Sequence, residues 1–452
     1  MPSCPAAPIT SLRTIFTKIR YCERRTPCTF AAVKKSVDFP EYNHSTFDYD
    51  LPEAFIALHP SEPRSAAKLL LWNGREAKVN YRFSNLPNLL PAGCQLWMND
   101  TRVIRARLLL QKETGGRLEI FLLEPMGQSM EQSLSSMKPV RWRCMVKGGK
   151  KWKNGIAAIR VEDAAGIWEV NARRVGMEEG IRHVELEWKF TSSSTGQSAE
   201  VMFSMLLESL GRMPLPPYMR RPDEPDDASD YQTVYAEVLG SVAAPTAGLH
   251  YDAALLAELS ATNSLHAVTL HVGAGTFKPL AGGEVREHIM HGEKCTVSFD
   301  SIKALAQPNQ NRIATGTTTL RTLESLYWLA LKWRSEGLQP NLLDQWEWSD
   351  SLHSVEVQMG WDMETAMQWL IQQLDGEDWE FETAIMMAPP YQIRSVQALI
   401  TNFHMPQSTL LCLVACAIGD QWRTLYDTAM ANGFKFLSYG DGSLIQIQPF
   451  RN

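Results

Sequence analysis

Two short stretches of this chain combine small residues with a histidine. Residues 242–250 read Val-Ala-Ala-Pro-Thr-Ala-Gly-Leu-His, and residues 269–277 read Thr-Leu-His-Val-Gly-Ala-Gly-Thr-Phe. Small residues let a backbone approach a ligand closely, and histidine is the side chain whose ordinary pKa lies near neutrality. His250 and His271 are therefore candidates for moving protons at a close-approach surface. Glu287-His-Ile-Met-His-Gly-Glu293 adds His288 and His291. Two histidines and two glutamates within one short segment invite a zinc reading, but the HExxH spacing that puts both imidazoles on one helical face is missing. Acid–base or hydrogen-bonding work suits them better, and no metal is expected. Thr401-Asn402-Phe403-His404 places a further histidine and an amide ahead of an apolar helix, and Ser438-Tyr439-Gly440-Asp441-Gly442 is a tight polar turn.

Binding groups accompany these candidates. Gly316-Thr-Thr-Thr-Leu-Arg321 reads as a strand end, a hydroxyl-rich turn and a helix start. Free amides at such a start suit a carboxylate or phosphate, with Thr317 and Arg321 in reach, or they are simply capped. In Asn99-Asp-Thr-Arg-Val-Ile104, Asp100 and Arg102 either clasp a ligand hydroxyl or phosphate or close an Asx turn with a surface ion pair. Gly273-x-Gly275 is too short for a dinucleotide fingerprint, and no GxxxxGK[ST] phosphate loop occurs. Arg141, Arg143, Lys147, Lys150, Lys151 and Lys153 alternate with Trp142 and Trp152. That interleaving fits RNA backbone contact and stacking, and equally a plain basic hairpin.

Several elements must position these residues. Phe47–Pro60 reads as an extended entry followed by a helix opened by Pro52 and stopped at Pro60. Residues 95–125 and 141–190 alternate apolar and polar with period two, broken by Gly115-Gly116 and Gly148-Gly149, which describes a small antiparallel barrel. Beyond residue 200, helical stretches at 201–210 and 252–259 alternate with buried-strand patterns at 267–270 and 313–315, the mark of an α/β domain. The expected organisation is an α/β fold with an inserted small antiparallel β-barrel: 1–44 a basic, disordered extension, 45–92 and 200–452 the α/β part, and 93–199 the barrel. Residues 327–382 hold seven tryptophans and read as a helical insertion with a surface for a partner or for self-association. Gly211–Tyr218, with three prolines, reads as a rigid linker, and the acidic run 223–230 as a solvated loop.

The whole chain sets outer bounds. With 452 residues and 44% hydrophobic content it is long enough for two domains or one with a large insertion. A net charge of −6 does not by itself suggest a polyanion binder, so local basic stretches matter more. Eight cysteines without a CxxC pair fit reduced thiols inside a cell. The longest apolar run, Leu410 to Ile418, is about half a bilayer span, and no signal peptide opens the chain. A cytoplasmic protein without a membrane segment is expected, although the basic first 44 residues also suit a transit peptide or a nucleic-acid arm.

Taken in order, the motifs resemble one family. FDYDLPEAFIALHP, NDTRVI, TGG, GRMPLPPY, YQTVYAE, VAAPTAGLH, TLHVGAGTF, EHIMH, GTTTLRTLES, ALITNFHMPQSTLL and FLSYGDGSLI together are similar to the pattern of S-adenosylmethionine:tRNA ribosyltransferase-isomerases, from about residue 45 to 447. The resemblance implies a β-barrel inserted into an α/β domain with the active site between them. It also implies transfer and isomerisation of the ribosyl group of S-adenosylmethionine onto 7-aminomethyl-7-deazaguanine at the tRNA wobble position, giving epoxyqueuosine, adenine and methionine. No cofactor beyond S-adenosylmethionine as co-substrate is implied. A base is needed because the sulfonium acidifies the 5′ carbon, and a donor helps adenine leave. His250, His271, His288, His291 and His404 are the candidates, with Asp100, Arg102, Thr317, Arg321, Asn402, Tyr439 and Asp441 holding substrate.

The chain also departs from that pattern. Ala388-Pro-Pro390, Arg394 and Gln397 replace a segment close to Tyr-Pro-Gly with a later Lys and Asp. Ser65 and Lys68 stand for Asp and Arg, Arg105 for Pro, and Gly292 for Ser or Ala. A divergent relative that binds tRNA or a modified nucleoside with altered or no transfer is the alternative.

Overall fold

The computed structural model describes residues 42–178, 180–273, 275, 280 and 283–451. The basic stretch 1–41, Thr276 and Phe277 of the second small-residue motif, and the side chain of Lys151 lie outside the described residues.

A ten-stranded sheet carries the molecule. Its order is Leu342–Leu343, Trp379–Thr383, Glu293–Val297, Ser264–Leu270, Gln95–Asn99, Arg312–Thr315, Ala398–Asn402, Gly442–Gln446, Lys68–Trp72 and Ala77–Arg82. The middle is parallel: Gln95–Asn99 pairs on both sides with parallel strands, and Ala398–Asn402 continues the set. These central strands are buried along their whole length, as parallel strands covered on two faces must be. Alternation still decides which core each side chain joins. Leu96, Ile313 and Ile400 pack with Leu255 and Leu259 on one face, whereas Trp97, Ala314 and Leu399 pack with Leu320 and Leu323 on the other. The second face is covered by the long helix Thr317–Glu336, whose residues 317–331 are all buried.

A second sheet closes on itself. Strands Ile181–Ser192, Val140–Lys147, Arg117–Pro125, Arg107–Lys112, Ile156–Glu162 and Gly166–Glu178 pair in that order, and the last pairs back onto the first. Inward residues such as Leu108, Ile120, Trp142, Val170 and Leu186 fill this six-stranded barrel, and helix Phe203–Leu210 supplies Phe203 and Leu207 to the same core. The expected start at residue 93 shifts, because Gln95–Asn99 belongs to the ten-stranded sheet and barrel pairing begins at Arg107. Two passages join the parts: Thr101–Val103 pairs with Val238–Ser241, and Arg107 bridges Arg212.

Three other expectations are corrected. The helix after Pro52 is a single 3-10 turn, Glu53–Phe55, because Ile56 turns extended to bridge Phe436 while Phe55 packs on the Phe436 ring. The 327–382 stretch is not purely helical: helices Leu352–Met359 and Met363–Leu374 are accompanied by strands Leu342–Leu343 and Trp379–Thr383, which extend the main sheet. Its tryptophans turn inward, with Trp328, Trp348 and Trp379 in the core and Trp333, Trp346, Trp361 and Trp369 packed against it. The acidic run is not wholly solvated either. Asp227 is buried, accepting from both Nη atoms of Arg221 at 2.7 Å.

Candidate active site

Small-residue turns meet at the carboxyl ends of the central strands. Ala243–Ala247, the helix start Gly316–Thr318, Thr401–Ser408, Tyr218 and Ser438 enclose a cavity of about 230 Å³. The helix start is shaped by Gly316, whose φ of 90° suits a residue without Cβ and whose amide donates to Ile400 O at 2.8 Å. No side chain caps that end, so a 20-residue helix directs its positive pole at the cavity. Asn402 ties the turns together: its Oδ1 accepts from Thr246 Oγ1 at 3.0 Å, and its amide nitrogen donates to Leu437 O at 3.1 Å.

Three of the five histidines are held neutral: His250 and His404 are buried, and His271 is half-buried. His404 lines the cavity, its Nε2 3.0 Å from Thr401 Oγ1, and its backbone carbonyl accepts from the Tyr49 hydroxyl. Burial pushes its pKa down to about 3. His250 stands behind the cavity, its ring stacked on Phe83 at 4.1 Å and its Nε2 3.0 Å from the Asn402 amide nitrogen. Since that nitrogen donates, Nε2 accepts and the ring proton sits on Nδ1. Burial lowers this pKa to about 3 as well.

His271 faces a separate cleft of about 720 Å³ between the barrel side and the sheet edge, together with Met130, Thr269, Lys294 and Glu382. Its Nδ1 is 3.1 Å from Thr101 Oγ1, and burial, with Lys294 adding to it, lowers its pKa to about 4. Room for the ring comes from Gly240, where a Cβ would fall 2.8 Å from His271 Cε1. Asp100 belongs to this neighbourhood: Thr269 Oγ1 donates to its Oδ1 at 2.7 Å, and burial raises its pKa.

His288 and His291 line a third, smaller pocket of about 60 Å³, with Gly273, Gly275, Glu293 and Arg321. Leu410 and the neighbours Val272 and Gly273 connect it to the 230 Å³ cavity. Glu293 is buried, accepts from the Gly273 amide at 3.2 Å and pairs with Arg321 Nη1.

The remaining candidates lie elsewhere. Arg102 is exposed on a groove with Arg105 and Gln232. Tyr439 donates to Asp227 at 3.1 Å, and Asp441 accepts the amides of Lys68 at 2.6 Å and Lys435 at 2.7 Å, so both brace turns. On the barrel, Arg141 pairs with Glu185 at 2.8 Å and Arg143 with Glu124 at 2.7 Å, whereas Lys147, Lys150 and Lys153 are exposed. The sequence reading missed Tyr218, the last residue of the proline-rich stretch. Its hydroxyl is 2.5 Å from Ser438 Oγ at the cavity wall, and burial raises its pKa to about 12.

The family profile described as a queuosine biosynthesis protein matches residues 44–445. The chain belongs to that family. It is 37% identical to an S-adenosylmethionine:tRNA ribosyltransferase-isomerase of Anaeromyxobacter dehalogenans, over 89% of this chain and 98% of the relative. A relative of the same description from Roseobacter denitrificans is 36% identical, with 89% of this chain and 98% of the relative covered. A crystal structure of S-adenosylmethionine tRNA ribosyltransferase from Thermotoga maritima matches with a TM-score of 0.41 and 24% identity, over 89% of this chain and 100% of that one.

Within the queuosine biosynthesis family, the positions expected to depart from the common pattern have definite surroundings in this chain. The altered 388–397 segment packs against helix Thr317–Glu336 rather than lining any of the three cavities. Glu324 Oε1 accepts the amides of Arg394 at 2.9 Å and Ser395 at 2.7 Å, and Gln397 Oε1 accepts the Arg312 amide at 2.8 Å. The Arg394 guanidinium pairs with Glu356 of the 327–382 stretch and lies 4.6 Å from the Trp328 ring centroid. Gly292 is similarly coupled: a Cβ there would fall 1.7 Å from Glu382 Oε1.

Proposed function

We propose that this chain transfers and isomerises the ribosyl group of S-adenosylmethionine onto 7-aminomethyl-7-deazaguanine at the wobble position of tRNA, releasing adenine and methionine and forming epoxyqueuosine. The observation that carries the reading is the 230 Å³ cavity, walled by residues from six of the motifs that resemble the family pattern, one of them an uncapped helix start, within the range that the family profile matches. S-adenosylmethionine would occupy it with Thr317 and Asn402 against the nucleoside, and no further cofactor takes part. His404 and His271 are the candidates for proton transfer, because each is held neutral and so can accept a proton without first losing one. His250 positions Asn402. His288 and His291 border the methionine end.

The 720 Å³ cleft between the barrel side and the sheet edge would receive the nucleobase, with Asp100 and His271 at its margin, while Lys147, Lys150 and Lys153 meet the tRNA backbone. No helix among the described residues is long and apolar enough to cross a membrane. Work on tRNA suits the cytoplasm.

The test is incubation of the protein with S-adenosylmethionine and tRNA with or without 7-aminomethyl-7-deazaguanine, followed by adenine release and nucleoside mass. Adenine released only with the modified tRNA, with the epoxyqueuosine mass, supports the transferase. Bound tRNA without adenine release would favour the divergent-relative alternative.

A further inference from the structure

The Arg321 side chain is only 8% exposed, and among the described residues just one of its nitrogens is engaged: Nη1 pairs with Glu293, whereas Nε and Nη2 have no hydrogen-bond partner there. Leaving a buried charged donor unsatisfied costs more than the pairing of a typical hydrogen bond returns, so such a group invites a ligand. Nε and Nη2 form one edge of the guanidinium, a planar fork that fits a carboxylate or phosphate with two parallel hydrogen bonds.

The surroundings fit this reading. Arg321 is one of the residues that line the 60 Å³ pocket, where a Cβ built on Gly273 would meet no described atom within 4 Å beyond its chain neighbours. Met290, Met386, Met387 and Leu413 give that pocket an apolar lining. Arg321 lies four residues after Thr317, on the same face of the helix, and Thr317 lines the adjoining cavity. An anion here therefore feels both the guanidinium and the positive helix end. A short aliphatic chain ending in a carboxylate matches a small apolar pocket with a cationic floor better than a sugar–phosphate does.

We propose that the Nε–Nη2 edge of Arg321 anchors the carboxylate of the methionyl part of S-adenosylmethionine, with the methionine chain in the small pocket and the nucleoside in the larger cavity. This rests on the function proposed above. The Glu293 pair, itself tied to the Gly273 amide, is what holds the fork square to the pocket.

Calorimetric titration of the full-length protein with S-adenosylmethionine and with its decarboxylated analogue tests the assignment, alongside filter binding of modified tRNA. The analogue should bind the unaltered protein about tenfold or more weakly than S-adenosylmethionine. Arg321→Lys keeps a cation for Glu293 but loses the fork. It should weaken S-adenosylmethionine by a similar factor, leave the analogue unchanged and leave tRNA affinity unchanged. Equal binding of the two compounds by the unaltered protein overturns the anchor but not the transferase reading, and needs no variant to observe. Loss of tRNA affinity in Arg321→Lys with S-adenosylmethionine unaffected assigns the edge to a phosphate instead. Failure of the unaltered protein to bind S-adenosylmethionine at all overturns both proposals.

Discussion

His250, His271 and His404 share a condition: each is kept neutral by burial, and each ring nitrogen with a described contact meets a hydroxyl or an amide. Protonation at rest would place a charge in surroundings whose burial disfavours it. Their lowered pKa values fix a sign for stability. Between the folded values of about 3 to 4 and the unfolded value of 6.5, the unfolded chain binds more protons, so stability falls as pH drops below about 6.5 and is fully present above it. Each histidine contributes a slope of at most about 1.4 kcal/mol per pH unit. Asp100 and Asp441, whose pKa values are raised, oppose this in the acidic part of the range. Urea midpoints measured from pH 8 to pH 5 should decline; a flat profile would contradict neutral burial. His404→Ala and His271→Ala should lower turnover by about 100-fold or more while leaving tRNA affinity within about twofold. Parallel loss of tRNA binding in both would reject the assigned roles.

At the scale of elements, the turn Ser438–Gly442 is braced from inside. A Cβ at Gly440 would fall 2.4 Å from Phe436 C and 2.6 Å from Lys435 O, both backbone atoms that cannot swing aside. Gly440→Ala should therefore destabilise by about 3 kcal/mol or more, read as a drop in the urea midpoint with unchanged slope. A cost below about 1 kcal/mol would show that the turn yields. Much of this level is legible in sequence. Period-two patterning revealed the barrel, and small residues beside histidines marked the turns that wall the cavity. What stayed hidden depends on distant contacts. The proline-rich stretch looked like a linker because nothing in it foretells that Tyr218 reaches Ser438. The tryptophans of 327–382 show no helical or strand period, so their burial against the core could not be read. The edge of Arg321 left free among the described residues depends on Glu293, on a strand 28 positions earlier, taking one nitrogen and leaving two. Phe47–Pro60 had an acceptable helix signal, and tertiary contact with Phe436 overrode it.

For the molecule as a whole, charge is local rather than global. The net charge is −6, yet Lys147, Lys150 and Lys153 stand exposed on the barrel and, among the described residues, form no ion pairs like those that occupy Arg141 and Arg143. Lys150→Ala with Lys153→Ala should weaken tRNA binding and reduce the slope of log affinity against log salt by up to about 2, with turnover at saturating tRNA nearly unchanged. An unaltered slope would move the tRNA footprint off this hairpin. The Glu356–Arg394 pair carries a different consequence. It fastens the 327–382 stretch to the 388–397 segment, and the same guanidinium lies against the Trp328 and Tyr391 rings. The two segments are thus mutually dependent: replacing either one alone would strand a half-buried charge of the other. Chimeras should tolerate exchange of both together and fail with either alone.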